Sequence, residues 1–177
     1  YRQFANTDLE VSEIGLGCNK LGQSVFSNVT PKDSVRLLHQ ALDWGVNTFD
    51  TAPTYNYGDS EELIGEAFKH RREKVILITK SGRLSSSLAK YGKSIRPFVR
   101  PIQTIIRPFK QKLKKASKPR FDFSSASIEE SLSKSLKRLR TDYIDLFLLH
   151  NPSLDVLQKG AIFDTLERLK KAGAIRY

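Results

Sequence analysis

Three apolar runs in the chain end on polar groups. Residues 46–49 lead into Asp50, residues 75–79 into Lys80, and residues 143–149 into His150. Their length and β-branched or aromatic content predict short strands. Between them, apolar residues recur at helical spacing: Val35, Leu38, Ala41 and Leu42; Leu63, Ile64, Ala67 and Phe68; Ile128, Leu132, Leu136 and Leu139; Ile162, Phe163, Leu166 and Leu169. Thr30 reads as the N-cap of the first helix, with Pro31 at its first position, Asp33 in its positive first turn and Gly45 at its end. Ser60, Glu61 and Glu62 read as the start of the second, and Ser127, Ile128, Glu129 and Glu130 as a capping box for the third. Near the amino terminus, residues 2–4 and 9–11 flank a turn-forming cluster at 5–8, which predicts a small hairpin. Residues 14–16 then form a short strand that exits at Cys18 and Asn19.

Alternation of strand and helix calls for parallel strands joined by crossover helices. From Cys18 to Asp50 is 32 residues and from Asp50 to Lys80 is 30, two units of one βα repeat; Lys80 to His150 is 70, one unit with an insertion of about 40. Asp50, Lys80 and His150 each follow a strand, so all three belong at the carboxyl ends, where parallel α/β folds place their chemistry. Asp145 interrupts the last apolar strand and needs a partner if buried, with Arg138 or Arg140 the nearest candidates in sequence. His39 has no neighbouring ligand set and reads as structural or exposed, and Trp44 reads as a packing residue.

A chain of 177 residues with 39% hydrophobic content can bury a real core, and one domain, spanning 1–177, is the expectation. No apolar run approaches the roughly 20 residues of a membrane span, no secretory signal opens the sequence, and the single cysteine, Cys18, suits a reducing compartment as a small buried residue; the expected location is cytoplasmic. The net charge of +11 is local. Between Arg83 and Arg120 lie twelve Lys and Arg and no acid, which leaves eighteen basic residues against nineteen acidic ones elsewhere. The basic segment, about 84–120, carries Ile95, Phe98, Val99, Ile102, Ile106, Phe109 and Leu113 near a helical stripe, interrupted by Pro97, Pro101 and Pro108. A lid or surface appendage is the first reading of it. Contact with an anionic membrane surface is the second, and an acidic partner, a phosphorylated substrate or nucleic acid the third; its aromatics are few for stacking on bases.

The segments DTAPTYNYGDSEELIG, ITKSG and LRTDYIDLFLLHNP, with IGLGC in the opening YRQFANTDLEVSEIGLG, resemble the signature segments of aldo-keto reductases in order and spacing. That resemblance implies the front part of a (β/α)8 barrel with an N-terminal β-hairpin, incomplete after the start of strand 5. It implies oxidation–reduction between a small-molecule carbonyl and an alcohol, with NADP(H) expected ahead of NAD(H) and no metal. It puts Asp50, Tyr55, Lys80 and His150 at the catalytic positions, and Gly17, Cys18, Asn19, Asp50 and Asn151 against the cofactor. In this scheme Tyr55, whose free phenol ionises near pH 10, exchanges a proton with the substrate oxygen under the influence of Lys80; Asp50 holds Lys80, and His150 orients the carbonyl. The family commonly has Gly after its tyrosine and this chain has Asn56, which leaves Tyr57 as a neighbour that lines the pocket. A non-catalytic, cofactor-binding regulatory module on the same fold, as in potassium-channel β subunits, is the alternative. Because such barrels take about 250 residues, the chain is expected to be the front half of a longer protein, to fold poorly alone and not to turn over.

Overall fold

The computed structural model describes residues 1–22, 29–84 and 119–177. The stripe expected between 84 and 120 therefore lies outside the described residues, apart from its flanks. In chain order the elements are β1 (Arg2–Gln3), β2 (Glu10–Val11), β3 (Gly15–Gly17), α1 (Pro31–Asp43), β4 (Thr48–Asp50), α2 (Asp59–Phe68), β5 (Ile76–Ser81), β6 (Arg83–Leu84), β7 (Arg120–Phe121), α3 (Ser125–Leu139), β8 (Leu146–Leu149), α4 (Leu154–Gln158) and α5 (Ala161–Lys171). A single-turn 3-10 helix, Tyr55–Gly58, precedes α2, and another, Arg72–Lys74, leads into β5.

The strands β3, β4, β5 and β8 pair in that order, all parallel, with a helix-bearing crossover between each pair. This is the front of a barrel. Ile175 bridges Ile144 in parallel, and Phe147 N donates to Tyr177 O at 2.8 Å, so residues 175–177 begin the next strand beside β8. β1 and β2 form the expected antiparallel hairpin. β6 and β7 pair antiparallel, Arg83 opposite Phe121 and Leu84 opposite Arg120, so the basic segment leaves and re-enters on a two-stranded ribbon just beyond Lys80.

Alternation along β5 sorts its side chains. Leu77, Thr79 and Ser81 are buried, whereas Ile76, Ile78 and Lys80 on the other face are partly covered. The buried face of the sheet, with Phe49 and Leu77, packs on Leu38, Ile64, Phe68, Ile128, Leu132 and Leu139. Each such side chain contributes about 1.5–3 kcal/mol on full burial. Gly65 lets α2 and α3 touch, because a methyl built there would lie 2.4 Å from the Arg138 carbonyl oxygen. Among the described residues no helix is long and apolar enough to cross a membrane.

Local expectations held at α1, where Thr30 and Asp33 form a reciprocal capping box. Elsewhere they shifted. The N-cap of α2 is Gly58, with Ser60 buried within the first turn, and α3 starts two residues before Ser127, which donates its N–H to the Ser124 hydroxyl at 3.4 Å. Trp44 is not packed: it is 75% exposed at the end of α1, beyond the reach of the core face. Phe163 is also largely exposed. Asp145 is buried, but its partners are Arg72 at 2.6 Å, Arg176 at 2.8 Å and the Leu77 N–H at 2.9 Å. Arg138 and Arg140 leave α3 toward α2 instead and pair with Glu61 and Glu66. The turn before β5 is closer to Asp145 than the helix that precedes it in sequence.

Candidate active site

Parallel register brings the strand exits side by side: Gly17 faces Asp50, Asp50 faces Ile78, and Lys80 faces Leu148. Thr51 N donates to Ile78 O at 2.8 Å and His150 N to Ser81 O at 2.7 Å, which carries β4 and β8 one residue further along β5. Lys80, on the less covered face of β5, reaches across this rim. Its ammonium donates to the Asp50 carboxylate and, at 2.8 Å, to the Thr51 carbonyl. The lysine side chain is 13% exposed and the aspartate 43%. A largely buried ammonium is thus held in place by two oxygens.

The same ammonium lies 5.0 Å from the centroid of the Tyr55 ring. Tyr55 in turn meets His150 edge-on, with ring centroids 6.3 Å apart and an interplanar angle of 85°. The four residues proposed from sequence as a set, Asp50, Tyr55, Lys80 and His150, are therefore brought to one rim from three strand ends and a 3-10 turn. His150 is 8% exposed. Burial pushes its imidazole below the ordinary value, and the nearby charges of Arg83 and Lys80 add to this against an opposing pull from Asp50. The ring is consequently neutral near pH 7 and can donate or accept a hydrogen bond without carrying charge.

Tyr55 is positioned by an unusual turn. Its N–H donates to Ala52 O at 3.0 Å. The next three residues all have positive φ: 47° at Asn56, 60° at Tyr57 and 92° at Gly58. Left-handed backbone costs roughly 1–2 kcal/mol for an ordinary L-residue and less for Asn, which explains why Asn56 can stand where Gly is common. The Asn56 side-chain amide donates to the Leu21 carbonyl.

Of the other residues singled out from sequence, Gly17 ends β3 at the rim, and a methyl built on it would meet nothing within 4 Å. Asn19 and Asn151 are exposed beside the same strand ends, Asn151 with φ 55° directly after His150. Cys18 turns inward and is fully buried. Its N–H donates to Asp50 O at 2.8 Å, its carbonyl accepts from the Ser60 hydroxyl at 2.8 Å, and its thiol faces Leu16 O at 3.3 Å. Burial, reinforced by the charge of Asp50, pushes that thiol up to about 12. Asn19 follows β3 and Asn151 follows β8, at the two edges of the four-stranded sheet; exposed neutral amides at these strand ends are groups that suit a carboxamide-bearing ring such as nicotinamide. His39 donates its Nε2–H to Ala67 O at 2.8 Å and serves the helix layer. The groove between α3 and α5, lined by Leu132, Leu136 and Leu169, contains none of these residues.

Sequence reasoning missed Glu61. It is fully buried, accepts from the Thr79 hydroxyl at 2.7 Å and pairs with Arg138 at 2.7 Å. The available signal was position: Glu61 stands one helical turn before Ile64, and Thr79 alternates with Leu77, so both face the core. Ser81 and Thr54 were missed as well; each has a buried hydroxyl without a hydrogen-bond partner among the described residues.

Known proteins resemble this chain over almost its whole length. The model of the Aldo/keto reductase family matches residues 13–177. The uncharacterized oxidoreductase YqkF of Bacillus subtilis (strain 168) is 34% identical over 179 residues, 99% of this chain and 46% of that protein. L-galactose dehydrogenase of Arabidopsis thaliana is 31% identical over 182 residues, 99% of this chain and 46% of that protein. Among solved structures, an aldo-keto reductase from Bacillus halodurans in its holo form superposes with a TM-score of 0.74 at 33% identity, covering 99% of this chain and 48% of that one. The chain spans about half the length of the curated relatives it matches.

Proposed function

This chain belongs to the aldo/keto reductase family, and we propose that the whole protein interconverts a small-molecule carbonyl and its alcohol, using Tyr55 as the proton donor and acceptor. The observation that carries this reading is the Lys80 ammonium, held by Asp50 and set against the face of Tyr55, with His150 at the edge of the same ring. When bound, a nicotinamide dinucleotide supplies or takes up the hydride; Gly17, Asn19, Asn151, Asp50 and the backbone of Cys18 would hold it at the open ends of β3, β4 and β8. NADP(H) is expected ahead of NAD(H).

In reduction, negative charge grows on the substrate oxygen, and the Tyr55 hydroxyl delivers a proton to it. The phenolate left behind is stabilised by the Lys80 charge. Asp50 keeps that charge in place, because its carboxylate and the Thr51 carbonyl fix two of the three ammonium protons. His150, neutral and nearly buried, donates a hydrogen bond to the same oxygen and orients it. Positioned acid–base groups of this kind typically contribute about 10²–10⁴-fold.

Tyr55→Phe in the full-length protein tests the assignment. Turnover of an aldehyde substrate should fall by about 10²–10⁴-fold, with the dissociation constant of the cofactor retained. Unchanged turnover removes Tyr55 as the donor. Cofactor binding by a wild-type protein that reduces none of a broad carbonyl panel would favour the regulatory module instead.

A further inference from the structure

The turn after Tyr55 is bonded into a circuit that the catalytic assignment does not use. Asn56, Tyr57 and Gly58 are left-handed in succession, and two of the three are not glycine. A carbonyl oxygen can only accept, so it is the amide nitrogen of Asn56 that faces Leu21. Leu21 N donates to Cys18 O at 3.2 Å, Cys18 N donates to Asp50 O at 2.8 Å, and the Ser60 hydroxyl both donates to Cys18 O and meets the Thr51 hydroxyl, each at 2.8 Å. From Asp50 the path thus runs through Cys18, Leu21 and Asn56 back to the residue beside Tyr55. On its other side Tyr55 is tied to β4 through Ala52.

We infer that Asn56 is a positioning residue: by bonding the left-handed turn to the loop that leaves β3, it fixes where the Tyr55 phenol stands relative to Lys80. This rests on the reading of Tyr55 as proton donor. The physical ground is the steepness of proton transfer with distance, since a misplacement of about 1 Å can cost 10²-fold in rate. Asn meets two requirements together. It tolerates positive φ better than other residues with a side chain, and it carries a donor of the right length. Glycine meets only the first of these, and alanine neither.

Three variants of the full-length protein separate the roles. Asn56→Gly keeps the backbone conformation and deletes the bond, Asn56→Asp keeps the shape but turns an acceptor toward the Leu21 carbonyl, and Asn56→Ala removes both contributions. The expected result is a fall in kcat of roughly tenfold for Asn56→Gly and more for the other two, with cofactor affinity and melting temperature of Asn56→Gly close to wild type. The solvent deuterium isotope effect on kcat should rise as proton delivery becomes limiting. Wild-type kcat in Asn56→Gly, a rise in KM alone, or a kcat that follows only the folded fraction would overturn the inference. Loss of turnover in Tyr55→Phe together with an unaffected Asn56→Gly rejects this inference alone; unaffected turnover in Tyr55→Phe rejects both it and the reading beneath it.

Discussion

Breaking the Glu61–Arg138 pair should destabilise the fold severely, whereas replacing it should not. Glu61 is fully buried, and Arg138 keeps only 23% of its side chain exposed. Both carboxylate oxygens are used, one by the Thr79 hydroxyl and one by the guanidinium, each at 2.7 Å. Arg138→Ala leaves a carboxylate in the core with one neutral partner, and Glu61→Ala leaves a guanidinium without a counter-charge. Each is expected to cost about 3–5 kcal/mol, because the burial cost of the surviving ion is no longer offset. That is a large share of the roughly 5–15 kcal/mol by which proteins are stable. Glu61→Gln retains the volume and the bond from Thr79, but its amide faces the guanidinium donor; a loss of about 1.5–3 kcal/mol follows from the missing charged hydrogen bond. Glu61→Leu combined with Arg138→Met removes both ions, and its cost should be far below the sum of the single losses. Urea unfolding of the full-length protein, followed by far-UV circular dichroism, gives the four values. Single losses below about 0.5 kcal/mol, or strict additivity in the double variant, would refute the claim that these two charges depend on each other.

Three further expectations follow from the ionisable groups. Because His150 binds a proton less readily in the folded chain than the free imidazole, which titrates near 6.5, its contribution is whole above that pH and is lost as the pH falls through the folded value. His150→Gln should therefore flatten the acid side of a plot of melting temperature against pH, and Arg83→Ala should move the imidazole titration seen by NMR upward; a His150 that titrates above 6.5 would contradict both. Cys18, with its thiol pushed up to about 12, should resist iodoacetamide in the folded protein at pH 8 and react once urea is added. Peptide mass mapping would show the contrary as rapid labelling without denaturant.

What was legible in the sequence, and what was not, divides along the range of the interactions. The hairpin, the strands that lead to Asp50, Lys80 and His150 and the helices between them follow from patterns within ten or so residues, and the described residues contain them, with Phe163 exposed rather than on the inner face of its helix. Asp50, Lys80 and His150 were visible because each ends an apolar run, and a strand end in a parallel sheet is a fixed place in space. Asp145 shows the limit. Its need for a partner could be read from an acid inside an apolar strand, but the partners, Arg72 and Arg176, come from a turn 73 residues earlier and from the next strand. Trp44 misled for a similar reason, since an aromatic in the last turn of an amphipathic helix is core or surface according to a few tens of degrees of rotation. Asn56 looked like a departure from a pattern until its φ of 47° gave the reason.

One strand joins the stability of this molecule to its chemistry. Successive side chains of β5 point to opposite faces, so Thr79 turns out to the helices and bonds Glu61, while Lys80 turns to the rim and bonds Asp50. A slip of one residue would exchange them, burying an ammonium in the helix layer and presenting a hydroxyl to Tyr55. The register is pinned from three directions: by Glu61 on Thr79, by the Asp145 carboxylate on the Leu77 N–H, and by the parallel ladders to β4 and β8. None of the first two touches the rim. The polar groups buried behind the sheet therefore act on the rim by fixing which face Lys80 occupies, and their cost in desolvation is the physical counterpart of a rim that admits only one alignment of its strands.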